Sequence, residues 1–561
     1  MLLASLLAGC RAAQAPSAVR TTPASASAVP GLFRDVAQEA GLDYRWGHGG
    51  KSPLNILETL GHGCAFLDYD QDGFLDILLV GNRRCALYHN LGNGHFQDVT
   101  ARSGLTLEGG LFGVAVGDYD NDGYPDVYVT GYGKCALYHN RGKGGASGPV
   151  FEDVTRKAGL GARGPYDVVT AAAFVDLDGD GRLDLFAGRY IVFKPDTIRF
   201  CKYQGILAGC GVKNYTPDFP RVYRNNGDGT FRDMTQAWGF DSAHGRCLGV
   251  AVRAADGGRG SLVYAANDEE PGDLFVPKGG RYANLGTSSG TAFNRDGLTQ
   301  GGMGVDWGDF NDDGRPDLAV STFQVEPNSL YRNDGGDMYT EVGATLGIAA
   351  PTSAYVAWTA KFFDYDNDGW PDLFFTNGHS QDNVHQVQPD KSYAQPMMLF
   401  HNEQGRLFTE VSAQGGPAFA HPIVGRGAAF GDYDNDGRVD MLVVDEEGRA
   451  LLLHNEDRSA NHWLGVRLIG TQSNRDGIGA RVQVTADGKT YTQDAQLAGG
   501  YISAHDPRLH FGLGQARRIE QIVVRWPNGK TETLREVPLD AYVEITEGKG
   551  LTRPSPQTAK K

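Results

Sequence analysis

The stretch Asp118-Tyr119-Asp120-Asn121-Asp122-Gly123-Tyr124-Pro125-Asp126 decides the fold of this chain, because it recurs. The same nonapeptide pattern stands at Asp68, Asp70, Asp72, Gly73, Phe74 and Asp76, and again at Asp176, Asp178, Asp180, Gly181, Arg182 and Asp184. It returns at Asp309, Asn311, Asp313, Gly314, Arg315 and Asp317, at Asp364, Asp366, Asp368, Gly369, Trp370 and Asp372, and at Asp432, Asp434, Asp436, Gly437, Arg438 and Asp440. First aspartates are separated by 50, 58, 133, 55 and 68 residues. The step of 133 spans two periods, so a seventh unit lies inside it. Gly249-Val250-Ala251-Val252 repeats the lead-in Gly113-Val114-Ala115-Val116, which puts Ala254, Asp256, Gly258 and Leu262 at the four aspartate positions. That copy has lost three of its four carboxylates.

Each nonapeptide is followed by a short apolar run, then a Tyr-x-Asn signal (Tyr88-His89-Asn90, Tyr138-His139-Asn140, Tyr223-Arg224-Asn225, Tyr331-Arg332-Asn333), then Phe-x-Asp-Val-Thr as at 96–100 and 151–155. Apolar runs separated by Gly, Asn and Asp turns read as antiparallel strands, roughly four per unit. Repeats of that length and strand content predict a β-propeller. The ends are in complementary phase. Phe33-Arg34-Asp35-Val36 is an orphan Phe-x-Asp-Val element, while the last unit stops at Leu453-His454-Asn455. The N-terminal segment therefore supplies the strand that the last unit lacks, closing a ring with no free sheet edges. The alternative, an open solenoid, needs capping repeats.

Aspartates at positions 1, 3, 5 and 9 around a glycine at 6 form a calcium loop. Ca²⁺ takes six to eight oxygens at ~2.3–2.6 Å. Position 7 offers a backbone carbonyl, so its side chain is free to vary, as it does through Phe74, Tyr124, Arg182, Arg315, Trp370 and Arg438. Four clustered carboxylates repel one another without a cation. About six Ca²⁺ are expected, and they would offset twelve of the sixteen net negative charges. Mg²⁺, which keeps its waters in tight octahedral geometry, fits less well. The expected role of the ions is to staple the hairpins, and neither catalysis nor sensing.

Composition narrows the partners. The chain has 561 residues and 78 glycines, in keeping with many tight turns between short strands, and a hydrophobic fraction of 40% that excludes wholesale disorder. A net charge of −16 argues against nucleic acid and against a general anionic-membrane partner. No apolar run reaches the ~20 residues of a membrane helix. Leu7-Ala8-Gly9-Cys10 resembles a bacterial lipoprotein processing box, with Cys10 as the lipidated residue, and 11–30 is an Ala/Ser/Thr/Pro tether. The expected location is the cell envelope (outer membrane, periplasm or cell surface), with membrane attachment only through that lipid.

The loops and flanking strands resemble FG-GAP/VCBS repeats of integrin α-type propellers. Asn474 to Ala480, Gly500 to Asp506, Leu509 to Gly514 and Val524 to Gly529 resemble the ASPIC/UnbV domain. The layout is similar to that of bacterial relatives of cartilage acidic protein. The resemblance implies a secreted or surface calcium-binding protein without catalysis, of a kind commonly proposed to bind other macromolecules. The expected organisation is a signal peptide at 1–10, a linker at 11–30, an all-β seven-bladed propeller at 31–458, a small β domain at 459–548 and a disordered tail at 549–561. Within the β domain, 463–469, 480–485 and 519–526 alternate as half-buried strands do, and Asn528-Gly529 signals a hairpin.

Three insertions interrupt the repeat, at 48–63, 189–220 and 377–396. Insertions in repeat folds gather on one face and often carry binding. Here they bring His48, Glu58, His379, Asp382 and His385 as a candidate binding face. Cys201 and Cys210 are expected to form a disulfide closing the second insertion, whereas the pairing of Cys64, Cys85, Cys135 and Cys247 stays open. The favoured function is a monomeric binding or adhesion module for an extracellular or envelope protein or glycan. An enzyme (hydrolase, lyase or biosynthetic) with its site in an axial cleft, and a purely structural scaffold, are the alternatives. No motif that would name a reaction is present.

Overall fold

The computed structural model describes residues 31–47, 50–142, 149–256 and 260–554. Cys10, the linker 11–30, His48, Gly258 and the tail 555–561 lie outside the described residues. Short strands of apolar and β-branched residues dominate, as the turn-rich composition requires. Seven sheets, each built on a four-strand antiparallel path, follow one another along the chain, and two of them take on further strands to reach five and six. Their first strands are Cys64–Leu67, Leu111–Gly117, Val169–Val175, Cys247–Ala254, Val305–Gly308, Ala357–Phe363 and Gly425–Gly431. Each first strand packs on the next, and Gly425–Gly431 packs back on Cys64–Leu67, so the arrangement is propeller-like and closed.

Closure uses the N-terminal strand. Phe33–Asp35 pairs antiparallel with Leu451–Asn455, with Phe33 opposite Asn455 and Asp35 opposite Leu453. Phe33 is buried against Phe363, Tyr365 and Phe419. The fourth sheet, Cys247–Ala254, Ser261–Glu270, Asp273–Lys278 and Arg281–Asn284, keeps the strand pattern without the acidic loop.

Two further four-stranded sheets follow residue 461. One orders Leu509–Gly514, His462–Ile469, Ala541–Thr546 and Gly550–Pro554; the other Lys489–Asp494, Arg481–Ala486, Ile519–Arg525 and Thr531–Leu534. They share a core that includes Leu464, Val484, Phe511 and Trp526. The expectation of disorder from 549 is corrected over its described part, 549–554. Gly550–Pro554 pairs antiparallel with Ala541–Thr546, because its backbone completes an otherwise open edge.

The C-terminal region also reaches into the ring. The hairpin spanning 498–504 lies against first strands of six sheets, and Gly500 meets Thr359 of the remaining one. Ala504 bridges Ala65 in parallel, the Val114 N–H donates to Ile502 O (3.1 Å), and the Val305 N–H donates to Gly500 O (2.8 Å). Tyr501, fully buried, donates its hydroxyl to Leu60 O at 3.0 Å. Gly63 and Gly113 make this approach possible: a Cβ at Gly63 would sit 1.9 Å from Ile502 O, and one at Gly113 2.7 Å from the Ile502 Cβ. The axial cleft expected as a place for an active site is thus filled by the chain itself.

Candidate metal loops and the insertion face

The six acidic loops share one hydrogen-bond scheme. Oδ1 of the first aspartate accepts the N–H of the fifth residue and Oδ2 that of the sixth, as Asp309 does from Asp313 (3.0 Å) and Gly314 (2.7 Å). Oδ1 of the fifth aspartate accepts the N–H of position 7, as Asp72 does from Phe74 at 2.9 Å. The ninth aspartate ties the loop to its sheet. Asp126 accepts the Tyr119 N–H through Oδ2 (3.1 Å) and the Asn140 N–H through Oδ1 (2.8 Å). The glycine at position 6 has φ of 93° at Gly73 and 101° at Gly123, a left-handed backbone that side chains disfavour. Position 2 is buried in every loop: Tyr69, Tyr119, Leu177, Phe310, Tyr365 and Tyr433.

These bends gather carboxylates. Oxygens of Asp68, Asp70 and Asp72 lie within 4.8 Å of one another. Burial, reinforced by neighbouring aspartates, pushes carboxyl pKa values up, to about 8 at Asp118 and Asp434 and to about 7 at Asp76, Asp126 and Asp309. Asp434 Oδ1 is buried without a hydrogen-bond partner. Hard oxygen donors and an orphaned buried oxygen fit a hard divalent cation.

Two features of the loops were not legible in the sequence. Position 4 also takes positive φ, at Gln71, Asn121, Asp312, Asn367 and Asn435. From there Asn121 donates its amide to Gly181 O (3.1 Å), Asn367 to Gly437 O (2.9 Å) and Asn435 to Gly73 O (3.0 Å), linking these three loops to the next one around the ring. The residue before the Tyr-x-Asn asparagine also faces the acids. His89, His139, His401 and His454 approach the aspartates at positions 3 and 9 of their units. Hydrogen bonds to Asp126 and Asp372 raise His139 and His401 to about 9. In the third sheet Arg224 takes that place and pairs with Asp180 at 3.0 Å. The histidine was visible as a repeated letter; that its ring turns to the acids is set by the strand's register.

The three insertions meet on one face. Asp382 Oδ1 accepts the Leu54 N–H (3.0 Å), Gln381 donates to Gly209 O (3.3 Å), and Asn383 donates to Leu207 O (2.8 Å). Glu58 accepts the Asn55 N–H at 2.8 Å, so its carboxylate holds its own turn. His379 is buried. Its Nδ1 accepts the Gln381 N–H (2.9 Å), and burial with the nearby Arg426 charge pulls its pKa down to about 4. His385 is exposed. Glu58, His379 and Asp382 thus order the loops, and among the described residues no hydrogen bond or ion pair joins them to one another or to His385. Cys201 and Cys210 are bonded, with a Cα–Cα distance of 4.9 Å. Cys64, Cys85, Cys135 and Cys247 are buried free thiols, and burial raises Cys64 and Cys85 to about 12.

The same face holds a pair of carboxylates that no repeat or motif singles out. Glu326 accepts the Gly301 N–H (2.8 Å), and Asp268 accepts the Tyr190 hydroxyl (2.6 Å). Burial lifts them to about 7 and about 6.

The folded pattern defines an all-β protein built on repeated acidic hairpins, and comparison with known proteins gives the class. The FG-GAP-like repeat family matches residues 68–129, 118–187 and 309–375, and the ASPIC and UnbV family matches 470–552. The chain therefore carries FG-GAP-like repeats and an ASPIC and UnbV domain, and it is homologous to cartilage acidic protein 1. It is 27% identical to the Xenopus tropicalis protein over 323 residues, covering 55% of this chain and 46% of the relative. It is 26% identical to the Homo sapiens protein over 365 residues, covering 62% and 52%. The chain thus spans about half the length of these curated relatives. Among solved structures, an Agrocybe aegerita lectin that recognises non-reducing terminal N-acetylglucosamine is 14% identical, with 69% of this chain and 87% of the lectin covered and a TM-score of 0.35. The WD40 β-propeller domain of Doa1 is 10% identical, with 70% and 92% covered and a TM-score of 0.36. At those scores neither likeness carries an argument.

Proposed function

We propose that this chain is an exported, calcium-binding, seven-bladed β-propeller that serves as a monomeric interaction module for an extracellular or envelope protein or glycan. In this reading it is lipidated at Cys10, and the Cys201–Cys210 bond forms in an oxidising compartment. The carrying observation is the set of six acidic bends, in phase and with one hydrogen-bond scheme, whose buried carboxylates outnumber the histidine and arginine side chains that face them. About six Ca²⁺ would be held by the side chains at positions 1, 3, 5 and 9 with the carbonyl of position 7. The ion supplies positive charge; the chain supplies the bend, the amide scaffold and the links between loops. Homology to cartilage acidic protein 1 supports the role of an interaction module. The test is calorimetric melting with calcium or with EDTA, together with metal analysis of the pure protein. The melting temperature should fall sharply in EDTA, and near six calcium ions should be recovered per chain. An unchanged melting temperature, or no alkaline-earth metal, would refute the reading.

One observation favours a second reading, an enzyme working at the insertion face: the pair Asp268 and Glu326, with pKa values near neutrality beside the Tyr190 hydroxyl. Loss of a hydrolytic activity in both D268N and E326Q, with melting unchanged, would support it.

A further inference from the structure

The second insertion, 189–220, reverses the surface character of the rest of the molecule. It holds five basic and two acidic residues in a chain of net charge −16. Among the described residues, five of the twelve exposed large hydrophobic side chains belong to it: Val192, Ile198, Phe200, Leu207 and Phe219. That concentration is far above chance, since the insertion is a small fraction of the chain, and clustered exposed apolar side chains mark interaction sites.

Register explains why they point outward. Phe200–Tyr203 and Ile206–Gly209 form a hairpin in which Phe200 faces Gly209 and Lys202 faces Leu207. Successive residues alternate faces, so Phe200, Lys202 and Leu207 share one side and Cys201, Tyr203, Ile206 and Ala208 the other. The second side is turned to the protein, where Ala208 is buried and Cys201 bonds Cys210. The first side is exposed, with Phe200 at 43% and Leu207 at 45%. Lys194, Arg199 and Lys202 are exposed beside them, and none forms an ion pair among the described residues.

What meets this face must accept cations and aliphatic or aromatic side chains together. A polyanionic glycan uses only the charges. Addition of a protein strand needs a free hairpin edge; the Ile206–Gly209 edge is engaged, since Asn383 and Gln381 donate to the carbonyls of Leu207 and Gly209, and strand addition at the other edge would use backbone groups and leave the exposed cations and apolar side chains unexplained. A bilayer surface needs neither an edge nor a pocket, and pairs anionic headgroups with an apolar layer just beneath. We propose that the stapled hairpin of the 189–220 insertion docks on anionic lipid bilayers, with Ile198, Phe200 and Leu207 entering the interface and Lys194, Arg199 and Lys202 contacting headgroups.

The test is co-flotation of the full chain carrying C10S, so that no covalent lipid contributes, with vesicles of phosphatidylcholine alone or with 30% phosphatidylglycerol. Recovery with the anionic vesicles should exceed that with neutral ones at least tenfold. The K194E/R199E/K202E variant should lose affinity on the order of 100-fold. F200S/L207S should lose at least tenfold while melting as the parent does. Equal recovery on both vesicles, or full binding by F200S/L207S, overturns the proposal. Binding to heparin or poly-glutamate without binding to vesicles also overturns it, in favour of a polyanion or an acidic protein.

Discussion

At the scale of single residues, the sheets are tied together by the asparagine of each Tyr-x-Asn signal and by its equivalents Asn402 and Asn455. Asn90 donates its side-chain amide to Tyr433 O, Asn140 to Tyr69 O, Asn225 to Tyr119 O, Asn402 to Phe310 O and Asn455 to Tyr365 O, all at 2.7–2.9 Å. Each bond joins a sheet to the position-2 carbonyl of the preceding one. Asn333 makes no such bond and reaches Pro316 O in its own sheet, because the sheet before it lacks the acidic bend. N140A leaves a buried carbonyl unpaired and should cost about 1–3 kcal/mol, read from urea denaturation. The acids set a pH dependence. In the metal-free protein Asp118 and Asp434 titrate near 8 and Asp76 and Asp126 near 7, raised by burial from 3.8. Between about pH 4 and 8 the folded chain binds more protons than the unfolded chain, so stability falls as pH rises. In EDTA the melting temperature should drop from pH 5 to pH 8, whereas saturating calcium should abolish that slope. A melting temperature that rises over this interval in EDTA would show that the raised carboxyl groups do not govern stability.

At the scale of elements, two segments close the molecule. Removing residues up to 36 deletes Phe33–Asp35 and bares the edge of Leu451–Asn455. Such an edge recruits other chains, so that truncation should scatter light and elute as aggregate at concentrations where the parent does not. The hairpin at 498–504 closes the axis. Y501A removes a fully buried ring in contact with Trp358 and should cost about 3–5 kcal/mol in equilibrium unfolding. The fourth sheet shows what replaces an acidic bend. Arg253, fully buried, donates to Asp256 (2.9 and 3.0 Å) and to Ala254 O, while Arg481 of the C-terminal region joins Asp494 and Asp256. Guanidinium groups there supply the positive charge at a bend that keeps one carboxylate, Asp256, of the four. The degenerate unit was legible from phase alone, but its arginine network was not, because half of it comes from more than two hundred residues away.

At the scale of the whole molecule, the ring and the C-terminal sheets depend on each other. Lys489 pairs with Asp312 (3.1 Å), His510 bonds Asn367 (2.7 Å), and the Asp118 N–H donates to Asp476 (2.7 Å), so the C-terminal region touches several acidic bends. A chain ending at 458 should therefore melt well below the full chain or fail to remain soluble; equal melting temperatures would show the axial hairpin to be dispensable. The sequence alone determined the repeat, its phase, the six acidic bends, the unit without one and the complementary ends, since each depends on spacing within ten residues or on a period repeated along the chain. Only the tertiary structure decided that residues 498–504 fill the axis, that the third insertion caps the edge of a hairpin in the second, that Gly550–Pro554 is a strand and that four thiols stay apart. Those outcomes turn on which distant surfaces meet, and a one-dimensional pattern of apolar and polar residues fixes the face a side chain takes but not the partner it finds there.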